Sequence, residues 1–192
     1  MAFWLVPGEL SGGHPARNTT VLSNHLLFKR VAIGWRDMSN VIAYDVVFTV
    51  PSGERHQQAV FEALTGYMPA RFSRFLKFNG SSGELEPLDD GPGEQNEPVV
   101  LATEEGGYAM GIWSPEAGAR YGRFRFPRAK VVKWNCVFRR GGPGQRIAPG
   151  DYPFRQFVIV GDLTTVRDCL RKLERENTSA RANDVVPTPL PQ

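Results

Sequence analysis

Proton transfer near neutral pH needs an imidazole or a perturbed carboxyl group, and three residues have the best claim to supply one. His25 follows Asn24 in Asn18-Thr-Thr-Val-Leu-Ser-Asn-His-Leu-Leu-Phe, a stretch whose composition predicts a strand. A strand histidine that projects into a cleft can act as general acid or base. Glu62, isolated among apolar neighbours, and Glu104, at the head of Glu104-Glu-Gly-Gly, are the carboxylates that could partner it. The plainer readings are a hydrogen-bonded structural histidine, a solvated glutamate and a turn residue.

Other chemistry finds little support. His14, His25 and His56 fall on different predicted elements without ligand spacing, and neither Cys136 nor Cys169 belongs to a Cys-x-x-Cys pair. No metal and no cofactor is therefore expected, a metal site assembled in space from distant residues being the alternative left open. Both cysteines sit on apolar sides of their predicted elements, as reduced buried thiols do, although their number also permits a bond. The absence of a phosphate loop, a nucleophile elbow and a zincin motif argues against familiar nucleotide and serine-hydrolase chemistry.

Binding chemistry is better represented. Trp113, Trp134, Trp35 and Tyr108 could stack on the apolar face of a sugar ring, while Arg123, Arg125, Lys133, Asn135 and Arg139 could hold its hydroxyl or carboxylate groups. Aromatic and arginine side chains can also grip single-stranded nucleic acid, but the net charge is only +3. With Pro127-Arg128-Ala129 as the loop, Phe124 pairs with Val132 and Arg123 faces Lys133. Like charges opposed in this way need an acidic neighbour or an anionic ligand such as a uronate. Charge is also segregated along the chain. Ser81 to Glu116 holds nine acidic residues and no Lys or Arg, and Ala117 to Gly150 holds nine basic residues and no acidic one. Either the blocks neutralise each other or they form an anion-binding face beside an acidic loop.

The elements that would position these groups are mostly strands. Ile42, Tyr44, Val46, Phe48 and Val50 alternate with Asp45 and Thr49, and Val132, Trp134, Cys136 and Phe138 alternate with Lys133, Asn135 and Arg139. Phe124 and Phe126 are expected in the core, with Arg123 and Arg125 outside. Ala59, Phe61, Ala63, Thr65 and Tyr67 are expected to share one side of a further strand. Gly106-Gly107 predicts a hairpin between Pro98 and Ser114. Strands are also predicted over 18–28, 30–35 and 154–160, Phe72, Phe75 and Phe78 are placed in an extended segment, and 86–98 reads as a long loop. Asp162 caps a helix over 162–176 whose stripe is Leu163, Val166, Leu170 and Leu173, and 177–192 reads as a disordered tail. The result is one all-β domain over 1–176, an antiparallel β-sandwich or part of a supersandwich, with one C-terminal helix. No apolar run is long enough to span a membrane. A cytoplasmic product fits, as does an extracellular one whose signal has been removed.

The stretch Thr20-Val-Leu-Ser-Asn-His-Leu-Leu-Phe, with Asn40-Val-Ile-Ala-Tyr-Asp-Val-Val-Phe-Thr-Val-Pro after it, resembles the galactose-mutarotase-like proteins over about Asn18 to Phe138. The resemblance implies a large twisted sandwich, a saccharide ligand and a sugar-contacting role for His25. The family's second histidine and late catalytic glutamate have no counterpart here. Three functions follow: a carbohydrate-recognising domain, with acidic saccharides in view; a sugar-active enzyme using His25 and a carboxylate; or an assembly domain whose acidic and basic blocks meet across a homodimer.

Overall fold

The structure, a computed structural model, describes residues 6–20 and 24–183. Its strands are β1 (Leu10–Ser11), β2 (His14–Pro15), β3 (Leu26–Trp35), β4 (Met38–Val50), β5 (Gln58–Pro69), β6 (Arg74–Asn79), β7 (Glu84–Pro87), β8 (Gly93–Gln95), β9 (Val99–Ala102), β10 (Ala109–Trp113), β11 (Arg120–Phe126), β12 (Val131–Gly141) and β13 (Gly150–Gly161), followed by the helix α1 (Leu163–Asn183). A seven-stranded antiparallel sheet in the order β3-β4-β13-β10-β9-β6-β7 packs on a four-stranded sheet, β5-β12-β11-β8, and β1 and β2 form a small hairpin. The fold is thus the expected all-β sandwich with a C-terminal helix.

There are three layers and two cores. Between the sheets, β4 contributes Val50, with Ile42, Tyr44 and Phe48 packed at the margin, and meets Phe61, Leu64, Trp134, Cys136, Phe138 and Phe154. On the other side of the large sheet, Val41, Ala43, Phe157 and Ile159 pack against Val166, Leu170 and Leu173 of α1. Asp162 caps α1 by accepting a 2.7 Å hydrogen bond from the Thr165 amide. The helix continues to Asn183 rather than stopping near 176, and 184–192, the rest of the expected tail, lie outside the described residues. Cys136 and Cys169 are both free, and they belong to opposite sides of the large sheet.

Several strands depart from the sequence reading for identifiable reasons. Phe75 and Phe78 are three residues apart on β6, so they face opposite sides, one in each core. In place of the two strands expected over 18–28 and 30–35, of which 21–23 lie outside the described residues, there is one edge strand, β3, over Leu26–Trp35. Both of its faces are largely open, with Leu27, Phe28 and Ile33 exposed around the charged pair Lys29 and Arg30. Inside the presumed loop of 86–98 lies β8, which pairs with β11. A bulge at Ala63, where Cys136 pairs with Leu64 but Val137 pairs with Glu62, splits β5. Phe61 stays in the core, while Thr65 and Tyr67 turn outward. Among the described residues, no helix is long and apolar enough to cross a membrane.

The largest correction concerns β11 and β12. Arg123 pairs with Trp134, Phe124 with Lys133 and Arg125 with Val132, one residue away from the expected register. The loop has four residues, Pro127 to Lys130, because Lys130 adopts φ 53° instead of continuing the strand. A one-residue slip exchanges faces. Arg123 is therefore buried, whereas Phe126 is 40% exposed. Val132, Trp134, Cys136 and Phe138 do point inward as expected.

The loop conformation gives a direct test. Lys130→Gly removes the Cβ strain of a left-handed residue, so stability in urea should hold or rise by up to about 1 kcal/mol. In the three-residue-loop register the same change would put Gly inside a strand and cost about 0.5–1 kcal/mol.

Candidate functional site

The outer face of the four-stranded sheet collects most of the polar residues singled out from the sequence. Alternation on β12 sends Lys133 and Asn135 to this face, and the bulge at Ala63 places Glu62 beside them together with Thr65 and Tyr67. From β11 come Phe124 and Phe126, and from β8 comes Glu94, opposite Gly122. The aromatic end is compact. Phe124 and Phe126 have ring centres 6.3 Å apart at 15°, and Tyr67 lies 6.3 Å from Phe126. The Lys133 ammonium sits 5.7 Å from the Tyr67 ring centre and 5.5 Å from that of Phe124, within cation–π range.

A hydrogen-bonded polar strip adjoins this end. Lys133 Nζ lies 2.8 Å from Glu62 Oε1, and Asn135 Nδ2 donates to the same oxygen at 2.8 Å. Asn135 Oδ1 accepts from the Gly122 amide at 3.0 Å. Gly122 is required here, since a Cβ would lie 2.3 Å from that oxygen. Burial alone would raise the Glu62 pKa, but hydrogen bonds from Lys133 and Asn135 and the lysine charge outweigh it and hold the carboxyl below its ordinary 4.5. Farther along, Arg139 clamps Glu94 with bonds of 2.6 and 2.9 Å, and Arg120 Nε reaches it at 3.2 Å. Glu94 is likewise held below its ordinary value, as these arginines outweigh the upward pull of burial.

The remaining expected ligand-binding residues lie elsewhere. Arg123 points between the sheets and stacks over Gly93, where a Cβ would lie 2.5 Å from the guanidinium. It donates to the Asp89 carbonyl at 2.9 Å, to Gln95 Oε1 at 2.8 Å and to Asp89 Oδ1 at 2.6 Å. Arg125 donates to the Ser73 carbonyl and to Asp90. The cationic residues proposed to bind an anionic ligand are therefore already satisfied, by Asp89, Asp90 and Glu94 of the acidic block and by Glu62. The two blocks thus meet within one chain through Asp89, Asp90 and Glu94, while Glu86 and Glu97 pair with Lys77 and Glu84 with Arg171. Trp113 is buried under α1, its Nε1 donating to Glu174 at 2.8 Å, and Trp134 is buried in the main core. Neither indole can serve as a platform.

The three expected acid–base residues are distributed over three settings. Glu62 belongs to the outer face. Glu104 accepts from Ser73 Oγ at 3.1 Å and, with Arg71, Glu105 and the exposed Tyr108, borders a shallow depression of about 490 Å³. His25 meets Glu54 and His56. Sequence reasoning missed Tyr67, Phe124 and Phe126 as surface groups. For Phe124 and Phe126 the available signal was Lys130, which a four-residue loop takes out of the strand, whereas Tyr67 is turned outward by the bulge at Ala63.

No protein-family model matches the chain, and no curated protein matches it. A crystal structure of a protein described as a "putative aldose 1-epimerase" from Escherichia coli K12 is similar, with 11% identity and a TM-score of 0.37. The match covers 72% of this chain and 65% of that one, so the chain spans just under two thirds of that protein's length.

The polar strip makes the fold acid-sensitive. Glu62 and Glu94 titrate lower in the folded chain than in the unfolded one, so their contribution is complete above about pH 5 and is lost as pH falls through their folded values. Unfolding midpoints in urea should drop between about pH 5 and pH 3, and Glu62→Gln should make that fall shallower. An unchanged slope would show that Glu62 gains nothing from Lys133 and Asn135.

Proposed function

We propose that this domain recognises a saccharide, and specifically a neutral one, on the outer face of its four-stranded sheet. The observation that carries the reading is the exposure of Tyr67, at 62%, directly beside the polar strip of Lys133, Glu62 and Asn135. An unburied ring and a row of fixed donors and acceptors on one flat surface match a pyranose, which has an apolar face and a hydroxyl edge. Phe126 extends the apolar surface for a second ring. The hydroxyls would exchange bonds with Glu62 and Lys133, whose opposite charges cancel locally, and this favours neutral sugars over uronates.

The same charge balance weighs against a nucleic-acid strand, whose affinity depends on uncompensated Lys and Arg along the backbone. It also weighs against an assembly interface in which the acidic and basic blocks meet across a dimer, because they meet inside one chain.

The test is a panel of neutral and acidic glycans and single-stranded oligonucleotides, with affinities measured in low and high salt. Neutral glycans should bind, with affinity nearly independent of salt. Tyr67→Ala should weaken binding about tenfold or more, equivalent to about 1.4 kcal/mol, while melting at the wild-type temperature because its ring is exposed. Binding confined to oligonucleotides or uronates and lost in salt would overturn the reading, as would full glycan affinity in Tyr67→Ala.

A further inference from the structure

A second cluster of reactive side chains lies away from the sheet face, at the end of the sandwich where β4 turns toward β5. Glu54 and His56 follow the turn at Pro51–Gly53, in which Gly53 takes φ 91°. They are two residues apart on extended chain, so their side chains project to the same side. The position of His56 is fixed by an antiparallel bridge to Ile147, whose amide donates to the His56 carbonyl at 2.9 Å. Ile147 is itself only 4% exposed and belongs to the main core. His25 enters from the chain just before β3, whose first residue, Leu26, pairs with Thr49.

The three side chains converge on one point. His25 Nε2 lies 2.9 Å from Glu54 Oε2 and His56 Nε2 lies 2.6 Å from the same oxygen, with the imidazole centres 5.3 Å apart. One ligand atom from each residue falls within 4.8 Å of the other two. The geometry points to a site for a divalent transition metal, Zn²⁺ first, held by His25, Glu54 and His56. Two imidazole nitrogens and one carboxylate oxygen form a donor set of the borderline kind that suits zinc and its neighbours rather than Mg²⁺ or Ca²⁺.

The fit can be judged by distance. With metal bonds of about 2.0–2.2 Å, tetrahedral ligand atoms stand about 3.4 Å apart. Each histidine would retreat from Glu54 by less than 1 Å, which side chains 40% and 36% exposed can do without moving the backbone. The cluster lies at the protein surface, leaving the fourth position to water. Binding would tie the chain entering the open edge strand β3 to the β4–β5 turn. Short-range sequence inspection finds only Glu54-x-His56, because the third ligand arrives from another strand.

The test is calorimetric titration of the full chain with ZnCl₂ at pH 7.5, after chelator treatment and dialysis. One equivalent should bind, and MgCl₂ should give no signal. His25→Ala and His56→Ala should each lower zinc affinity at least tenfold, and His14→Ala, on β2, should leave it unchanged. Imidazole NMR of the wild type provides a readout that does not depend on variants folding: zinc should shift the ring signals of His25 and His56 and leave those of His14 in place. Absence of binding at millimolar zinc, an equivalent that survives both alanine changes, or shifts confined to His14 would overturn the assignment.

Discussion

Lys130 ends the loop between β11 and β12 in a left-handed conformation, and the register it sets decides which face of β11 meets the core. Inward go Tyr121, Arg123 and Arg125; outward go Phe124 and Phe126. A guanidinium between two sheets is unfavourable unless its donors are satisfied. Here β8 supplies the remedy. Gly93 leaves room for the guanidinium, Gln95 accepts from it, and Asp89 accepts through both its carbonyl and its carboxylate. The acidic segment is thus structural in origin. It folds back on the basic strand because a buried arginine requires acceptors there.

That compensation shapes what the surface can recognise. With Arg123 inside, Arg125 bonded to Ser73 and Asp90, and Arg120 and Arg139 sharing Glu94, the small sheet presents a nearly neutral face to solvent. Its distinguishing features are then the aromatic group of Tyr67, Phe124 and Phe126 and the Lys133–Glu62–Asn135 strip. Selectivity on such a face comes from ring stacking and fixed hydrogen bonds rather than from long-range attraction.

What could be read from the sequence was local and periodic. The inward face of β4, the alternating core residues of β12, the β9–β10 hairpin and the Asp162 cap each follow from side-chain period, paired glycines or a capping carboxylate within a few residues. What could not be read depended on a single backbone torsion or on pairing between distant strands. The left-handed Lys130 reversed β11, the bulge at Ala63 turned Tyr67 onto the outer face that Glu62 already occupies, and β8 found β11 across a segment rich in Pro and Gly. His25, the candidate acid or base of the sequence, lies beside Glu54 and His56 rather than Glu62 or Glu104, because sequence proximity carries no information about which strand ends meet.

The separation of the two regions constrains the chemistry each can perform. Tyr67 lies near the end of β5 and His56 just before its start, so eleven residues of extended chain, at roughly 3.3 Å each, place them on the order of 35 Å apart. His25 cannot serve a ring stacked on Tyr67. Proton transfer at the sheet face would fall to Glu62, yet Lys133 and Asn135 stabilise its ionised form and hold its pKa below 4.5. A carboxylate in that state has no proton to donate near neutral pH and is a weak base. It remains a good fixed hydrogen-bond acceptor, which is the part the proposed saccharide recognition assigns to it.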